Sequence, residues 1–308
     1  MTIFKGFDTT RDVPSLGGKV ILITGGTGGV GKAAIEHLAK HDPQKIFFTG
    51  RNTQAAERLI ASLPDPSVAT FVPCSLDSLA SVKTAADKII QQTDRLDIVI
   101  ANAGIMAVPA GVSDDGYEIQ FATNHVGNVA LTLRVLPLML KTAEIPGADV
   151  RFVALTSLGY RGHPKQGVDF ETIKTAQEGM VMGSWGRYGQ SKLANILFAR
   201  QLGKRYPSIT SLAIHPGVVN TELVTELSWA KWLLVRVTNP HLLTQEEGAV
   251  NTVWAATAKD VRERLDEGKT AFFEPVGKAS AGTKSCFDEK LMTELWEWTE
   301  REVGLQAP

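Results

Sequence analysis

The stretch LITGGTGGVGKAAIEHL, residues 22–38, places a short apolar run directly before five glycines and a helical pattern. A glycine-rich turn binds a dinucleotide when a buried strand precedes it and a helix follows it. Glycine lets the backbone approach a pyrophosphate, and the helix N-terminus offers free N–H groups and a positive dipole end. The stretch therefore predicts a dinucleotide-binding strand–turn–helix unit. The alternative is a glycine-rich connection that binds nothing.

The apolar run of this unit, KVILIT, recurs along the chain as KIFFTG, ATFVPC, LDIVIANAG, DVRFVALTS, ITSLAIHPG and TAFFEP. Continuous apolar runs of this length are typical of strands that are buried on both faces. Helical patterns separate most of them, and strands that alternate with helices indicate βαβ units. We therefore predict an α/β fold, a single doubly wound parallel sheet of Rossmann type with helices on both faces, in one domain that covers residues 1–308.

The composition limits the classes of function. Hydrophobic residues make up 44% of the chain and charged residues 21%, and the formal net charge is −1. This balance supports a sizeable core and gives no support to a nucleic-acid partner. Cys74 and Cys286 are too few for a disulfide framework. No signal peptide and no run of about 20 apolar residues is visible, so a cytoplasmic protein is predicted. His125 and His215 belong to no metal-binding cluster, and no metal is predicted.

The residues after the second predicted strand indicate which dinucleotide binds. Enzymes that prefer NAD place an acid there, which binds the ribose 2′-hydroxyl. No acid occurs between Phe48 and Ala56, and Arg51 stands where a 2′-phosphate would lie. A guanidinium can pair bidentately with that phosphate, so NADP(H) is favoured over NAD(H). The alternative for Arg51 is a solvated arginine at the start of a helix.

Tyr188 and Lys192 are four residues apart in YGQSK, so they share one face if the segment is helical. The pKa of tyrosine is about 10 in isolation. A nearby cation stabilises the phenolate and lowers that pKa, as acid–base chemistry near neutral pH requires. The pair is therefore a candidate reactive site. By spacing alone, it is also one face of an ordinary amphipathic helix.

Six motifs in order, TGGTGGVG, ANAG, TNHVGN, VALTSLG, YGQSK and HPGVVNT, resemble those of the short-chain dehydrogenase/reductase family. The details TNHVGN, QSKLANILF, HPGVV and TQEEGA are similar to its retinol dehydrogenase-like and protochlorophyllide reductase-like branch. The resemblance extends from Lys19 to about Thr221, with a weaker match in FFEPVGK. It implies an NAD(P)-dependent oxidoreductase that acts on CH–OH or C=O groups.

The resemblance also implies residue roles. Tyr188 would pass a proton to a carbonyl oxygen or remove one from an alcohol, and Ser157 would hydrogen-bond that oxygen. Lys192 would lower the pKa of Tyr188 and hold the nicotinamide ribose. Asn124 would support a water that links Lys192 to solvent. The implied cofactor-binding residues are Gly25, Thr27, Gly29, Val30, Gly31, Arg51, Asn52, Asn102, Ala103, Gly104, Tyr188, Lys192, Pro216, Gly217, Val219 and Thr221.

Four segments depart from the family pattern or extend it. Ser75 stands where an adenine-binding Asp is usual, and Asp77 follows two residues later. The segment between Ser157 and Tyr188 resembles the longer insertion of the branch, which would line one side of the substrate cleft. Residues of about 221–247, with two tryptophans, would form a substrate lid. A homodimer contact and a peripheral membrane contact are the alternatives for that segment. Residues of about 275–308 would be a C-terminal extension.

The apolar composition of the lid predicts a small apolar or aromatic substrate. Retinoid-like, steroid-like and polyketide or other secondary-metabolite carbonyls remain open. Two other classes of function fit the same fold. A cofactor-binding isomerase, dehydratase or cyclase would catalyse no net redox change. A non-catalytic cofactor sensor would need none of Asn124, Ser157, Tyr188 and Lys192 together, and their presence argues against it.

Overall fold

One eight-stranded sheet runs through the part of the chain that the computed structural model describes, residues 6–221, 229, 232–233, 237, 241–266 and 270–305. The strands are β1 (Val20–Ile23), β2 (Lys45–Gly50), β3 (Ala69–Pro73), β4 (Ile98–Ala101), β5 (Val150–Leu155), β6 (Ile209–Ile214), β7 (Phe272–Glu274) and β8 (Lys278–Ser280). The helices are α1 (Gly29–Leu38), α2 (Thr53–Ser62), α3 (Leu79–Ile90), α4 (Ile119–Phe121), α5 (Gly127–Ala143), α6 (Ser184–Arg205), α7 (Gln245–Thr257), α8 (Val261–Asp266) and α9 (Glu289–Val303). A π-helical turn, Ala122–Val126, joins α4 to α5.

The strand order is β3-β2-β1-β4-β5-β6-β7-β8. Strands β1 to β7 pair in parallel, and β8 pairs antiparallel with β7. After β3 the chain crosses to the other side of β1, so a crevice opens between the carboxyl ends of β1 and β4, where ligands bind in such sheets. The predicted doubly wound sheet is confirmed. The added β8 is short and polar, so no apolar run in the sequence indicated it.

The sheet separates two hydrophobic cores, and successive residues of a strand alternate between them. In β1, Val20 and Leu22 pack in the core that also contains residues of α3, α5, α6 and α9. Ile21 and Ile23 pack in the core with residues of α1, α2 and α7. All four side chains are at most 1% exposed. Burial on both faces explains why the strands are continuous apolar runs rather than alternating ones.

One helical segment among the described residues is long and apolar enough to cross a membrane by length and composition, Ile119–Ala143, which contains α4, the π-helical turn and α5. Its most apolar window is 67% buried within the protein. The segment packs against α3 and the sheet through residues such as Val135, Leu136 and Met139. Its apolar surface is therefore used by the protein core.

The predicted C-terminal extension contains the strand β8 and the amphipathic helix α9. Trp296 of α9 stacks on Phe198 of α6, with ring centroids 5.1 Å apart and planes within 8°. Both aromatic rings lie in the core on that side of the sheet. Most of the predicted lid lies outside the described residues. Within it, Trp229 and Val237 are exposed.

The start of α5 is packed tightly enough to test the fold. A Cβ on Gly127 would lie 2.0 Å from the Leu76 carbonyl oxygen, which is backbone and cannot rotate away. We expect Gly127→Ala to lower the free energy of unfolding by about 1–3 kcal/mol, because overpacking outweighs the better helix propensity of alanine. Chemical denaturation measures the change. Gly179→Ala is the control, since its Cβ would meet nothing within 4 Å. Equal stability of the two variants would contradict this packing.

Candidate active site

The glycine-rich turn joins β1 to α1 and leaves the start of the helix open. Gly25 and Gly29 have φ of 67° and 56°, in the left-handed region that glycine adopts without strain. Gly28 is the extended N-cap of α1 and supplies no side-chain hydrogen bond to the helix. A Cβ on Gly28 would meet nothing within 4 Å. The start of α1 is thus open at Gly28, while the Thr221 side chain lies beside Gly29, and the free N–H groups of the first turn fit a pyrophosphate.

Gly31 has a different function in the turn. A Cβ there would lie 2.4 Å from the Asn102 amide nitrogen and 2.4 Å from the Gly25 carbonyl oxygen. Gly31 is buried beneath the turn and lets α1 approach β4. Although it was predicted among the cofactor-binding residues, the structure gives it a packing position instead.

Asn102 fixes the turn to the end of β4. Its amide donates to the Thr24 carbonyl oxygen at 2.8 Å and to the Gly25 carbonyl oxygen at 3.3 Å. The backbone N–H of Ala103 donates to the Thr24 hydroxyl at 2.9 Å. The Thr24 hydroxyl in turn donates to Asn128 Oδ1 at 2.6 Å. These bonds hold β1, β4 and α5 in one arrangement around the crevice.

The crevice is a cavity of about 1580 Å³ at the carboxyl ends of the strands. It brings together most of the residues that the sequence singled out. Those that line it are Gly25, Thr27, Gly29, Val30, Arg51, Asn52, Asn102, Ala103, Gly104, Ser157, Tyr188, Lys192, Pro216, Gly217, Val219 and Thr221. Gly31 and Asn124 do not line it. Asn124 is fully buried and contacts the cavity wall from behind.

Tyr188 projects into this cavity from α6, beside Ser157 at the end of β5. A Cβ on Gly159 would lie 2.9 Å from the Tyr188 ring and 3.4 Å from the Ser157 hydroxyl, so the glycine allows the two side chains to meet. Burial raises the pKa of Tyr188 to about 12, although a hydrogen bond with Ser157 opposes the rise. The sequence led us to expect a lowered pKa for Tyr188, and this expectation is wrong for this structure. The cost of burying the Tyr188 phenolate exceeds the stabilisation by the hydrogen bond with Ser157.

Lys192 lies one helical turn beyond Tyr188, as the spacing predicted. Its Nζ is 5.7 Å from the centroid of the Tyr188 ring and donates to the Leu155 carbonyl oxygen at 3.1 Å. Burial lowers the pKa of Lys192 to about 8. The ammonium is therefore the main form at neutral pH and is lost as the pH rises above 8.

Asn124 occupies the π-helical turn before α5. Its amide group donates to the Ile105 carbonyl oxygen and to the Ser191 hydroxyl, both at 2.9 Å, and its Oδ1 accepts the Ile105 N–H at 2.7 Å. A Cβ on Gly104 would lie 3.0 Å from Asn124 Oδ1 and 3.3 Å from Lys192 Nζ. Asn124 therefore holds the loop after β4 next to Lys192.

The far end of the cavity contains the residues expected at the adenosine. Arg51 follows β2, and the Asn52 side chain accepts the Ala55 N–H at 2.9 Å as the N-cap of α2. Arg58 of α2 also lines the cavity and was not singled out from the sequence. Ser75 and Asp77 both line it, and the Ser75 hydroxyl donates to the Asp77 carboxylate. Asp77, which stands two residues after the usual position of the acid, therefore reaches the cavity.

The opposite end, around Tyr188, is lined by five apolar residues, three of which belong to the insertion that was predicted to line the substrate cleft. They are Ile105, Met106, Leu158, Met182 and Trp185. The Trp185 ring stands edge-on to the Tyr188 ring, with centroids 6.4 Å apart and planes at 82°. Trp185 is three residues before Tyr188, and this helical spacing was the available signal. Met182 lies in that predicted insertion, and Met106 follows the ANAG motif, residues 101–104, by two residues.

His215 is the remaining titratable group close to Lys192. Burial, with a smaller effect of Lys192, lowers the pKa of His215 to about 4, so the imidazole is neutral near pH 7. In the chain segments described, no group of three or more His, Cys, Asp or Glu side chains could hold a metal ion.

The fold and these motifs can be compared with known proteins. The short chain dehydrogenase family model matches residues 19–153. Short-chain dehydrogenase/reductase drtF of Aspergillus calidoustus is 35% identical over 94% of this chain and 95% of its own. Human Retinol dehydrogenase 13 is 31% identical over 99% of this chain and 92% of its own.

A solved structure with a similar fold is the 3-ketoacyl-(acyl-carrier-protein) reductase of Brucella melitensis complexed with NADH. It has a TM-score of 0.65 and 20% identity, and covers 85% of this chain and 98% of its own. That likeness concerns the fold alone. The two relatives, at 35% and 31% identity along nearly the whole chain, confirm the predicted family. The protein belongs to the short-chain dehydrogenase/reductase family and is an NAD(P)-dependent oxidoreductase.

Proposed function

We propose that the protein is an NADP(H)-dependent reductase of a ketone or aldehyde on a neutral, apolar or aromatic small molecule. The observation that carries the proposal is the position of Tyr188. Its hydroxyl side meets Ser157 at one end of a cavity, and the glycine-rich turn lines the other part of the same cavity. A reacting carbonyl beside Tyr188 would thus share the cavity with a dinucleotide held at α1.

The residues around Tyr188 favour proton donation. With a pKa of about 12, the phenol is protonated at every physiological pH and is ready to give its proton to a carbonyl oxygen. Ser157 would donate a hydrogen bond to that oxygen as negative charge develops on it. The nicotinamide supplies the hydride when it is bound, and Lys192 would orient its ribose. Donation leaves Tyr188 as a phenolate, which the Lys192 ammonium, 5.7 Å from the ring centroid, would stabilise and which would accept the proton in the reverse reaction.

The adenosine end supports NADP(H). Arg51 lines the cavity directly after β2, and Arg58 adds a second guanidinium from α2. Two guanidinium groups at this end suit a 2′-phosphate better than an unmodified ribose hydroxyl. The acid that lines the cavity after β3, Asp77, is already held by Ser75 and suits the adenine amino group.

The substrate end supports an uncharged ligand. Its walls are the apolar Ile105, Leu158 and Trp185 and two methionines. Methionine and tryptophan are polarisable and make favourable contacts with aromatic rings. The ionisable neighbour His215 is neutral near pH 7, because burial lowers its pKa to about 4. Among the described residues that line this end, Lys192 is the cation next to Tyr188, and its ammonium already donates to the Leu155 carbonyl oxygen.

Tyr188→Phe tests the proposed chemistry. We expect NADPH binding to be kept and the turnover of neutral ketones to fall by about 10² to 10⁴, because the proton donor is lost while the ring packing stays. The assay follows the absorbance of NADPH with a panel of aliphatic and aryl ketones, and a binding titration serves as the control. Near-normal turnover by the variant would contradict the role of Tyr188. Product formed without NADPH consumption would contradict a reductase.

Arg51→Asp tests the preference for NADP(H). We expect the Kd for NADPH to rise about tenfold to a hundredfold, because a charge-assisted contact becomes a repulsion, while the Kd for NADH changes little. Fluorescence titration with both nucleotides measures the two constants. Lys141→Asp makes the same charge change at the far end of α5 and should affect neither. Equal losses for both nucleotides in the Arg51 variant would remove the case for NADP(H).

The pH dependence should follow Lys192. Since burial lowers its pKa to about 8, we expect kcat/KM for ketone reduction to be flat near pH 7 and to fall above pH 8 as the ammonium is lost. The fall should approach about tenfold per pH unit if the charge is required. Tyr188 should stay protonated through this range, because its pKa is about 12. Constant kcat/KM up to pH 10 would show that the charge of Lys192 is not needed.

A further inference from the structure

A cluster of polar side chains, nearly all out of solvent, lies behind the substrate end of the cavity. We call it the polar clamp. Its members are Glu118, Gln120, Gln177, Arg187 and Gln190. None is more than 6% exposed, and none lines the cavity. Burying five such groups is costly unless they are paired, so their arrangement needs an explanation.

The centre of the polar clamp is an ion pair. Arg187 Nε lies 3.3 Å from Glu118 Oε1, and the two side chains are 4% and 0% exposed. Glu118 Oε2 accepts the Phe121 N–H at 2.7 Å, which caps α4. The other two nitrogens of the guanidinium donate to the carbonyl oxygens of Gln177 at 3.1 Å and Val108 at 3.4 Å. One arginine therefore contacts three separate segments of the chain.

The glutamines extend these contacts to both walls of the substrate end. The Gln120 amide donates to the Ser184 carbonyl oxygen at 3.0 Å, and its Oε1 accepts the Ala107 N–H at 2.8 Å. The Gln190 amide donates to Gln177 Oε1 at 3.0 Å, and Gln190 Oε1 accepts the Asp169 N–H at 2.8 Å. The glutamines thus bond the loop after β4 to α4 and the insertion to α6, while Arg187 of α6 bonds both segments.

The held segments carry the cavity walls. Ala107 and Val108 follow Ile105 and Met106 directly, and Ser184 stands between Met182 and Trp185. These four neighbours all line the cavity.

The backbone of the same segments is strained. Ala107, Gln177 and Met182 have φ of 54°, 47° and 64°, a region that non-glycine residues rarely adopt. Such conformations persist only where the surroundings determine them. The polar clamp contacts two of these residues directly, at the Ala107 N–H and the Gln177 carbonyl oxygen.

Arg187 is also the residue directly before Tyr188. We propose that Arg187, through its buried pair with Glu118, is a positioning residue that sets both substrate walls relative to the Tyr188 hydroxyl and so determines which carbonyl compounds are accepted. The inference rests on the proposed function of the cavity. The claim that Arg187 and Glu118 hold the two walls in place can be tested by a measurement that needs no enzymatic activity.

The test uses Arg187→Met and the double variant Arg187→Met/Glu118→Gln. The single variant leaves a buried carboxylate without its partner and should lose thermal stability. The double variant removes both charges, and its glutamine amide oxygen can still cap α4, so its melting temperature should recover toward that of the unsubstituted protein. Arg95→Met is the matched control, because Arg95 pairs at 2.7 Å with Asp97, a fully buried carboxylate at the opposite end of β4.

The first measurement is hydrogen exchange followed by mass spectrometry. In the double variant, amides of residues 105–110 and 165–183 should exchange about tenfold faster, while those of residues 20–38 should not change. In Arg95→Met these two regions should keep their protection. Unchanged exchange of both regions in the double variant would overturn the proposal.

The second measurement is steady-state reduction of cyclohexanone and 1-tetralone with NADPH. In the double variant we expect kcat/KM for 1-tetralone to fall about tenfold to a hundredfold. The ratio of the kcat/KM values for 1-tetralone and cyclohexanone should move toward one, and the Kd for NADPH should not change. Arg95→Met should keep the ratio. A stable double variant with an unchanged ratio would overturn the proposal. Failure of the unsubstituted protein to reduce any ketone would count against the proposed function, and exchange would still decide whether the clamp holds the walls.

Discussion

The whole site depends on the close approach of the glycine-rich turn to the end of β4. Asn102 donates to the Thr24 and Gly25 carbonyl oxygens, and Gly31 has no side chain to keep α1 away. These contacts set the distance between the two strands whose divergence opens the crevice. A larger residue at Gly31 would have to displace backbone atoms. The crevice is therefore a consequence of backbone packing, on which the side-chain chemistry is then arranged.

Desolvation determines the chemistry at the other end of the crevice. Tyr188 and Lys192 are 6% and 5% exposed, and burial moves their pKa values in opposite directions, to about 12 and about 8. Both shifts have one cause, since burial disfavours the charged form of each group. The result at neutral pH is a protonated phenol beside an ammonium that is close to its titration range. Such a site places a proton donor next to a cation that can stabilise the phenolate left by donation.

The sequence predicted the features that depend on local patterns and could not predict those that depend on tertiary burial. The strand–turn–helix unit around Gly25 and the shared helix face of Tyr188 and Lys192 both follow from short spacings. The direction of the Tyr188 pKa did not follow, because the spacing to Lys192 shows a neighbouring cation but not the loss of solvent. Trp185 was one helical turn from a recognised residue. Met106 follows the ANAG motif by two residues, but no spacing rule places its side chain beside Tyr188.

The two halves of the cavity are held by different means. The cofactor half is formed by strand ends and by the N-terminus of α1, which the parallel sheet positions directly. In the part of the chain that the structure describes, the substrate half is formed by a loop and an insertion, and neither contains a strand of the sheet.

A long connection of that kind stays ordered only if other contacts offset its conformational entropy. The buried pair of Arg187 and Glu118 and its glutamine partners provide those contacts from inside the protein. Because none of these side chains lines the cavity, the walls can be apolar and still be held by polar bonds from behind. This arrangement combines apolar walls with a defined geometry at Tyr188.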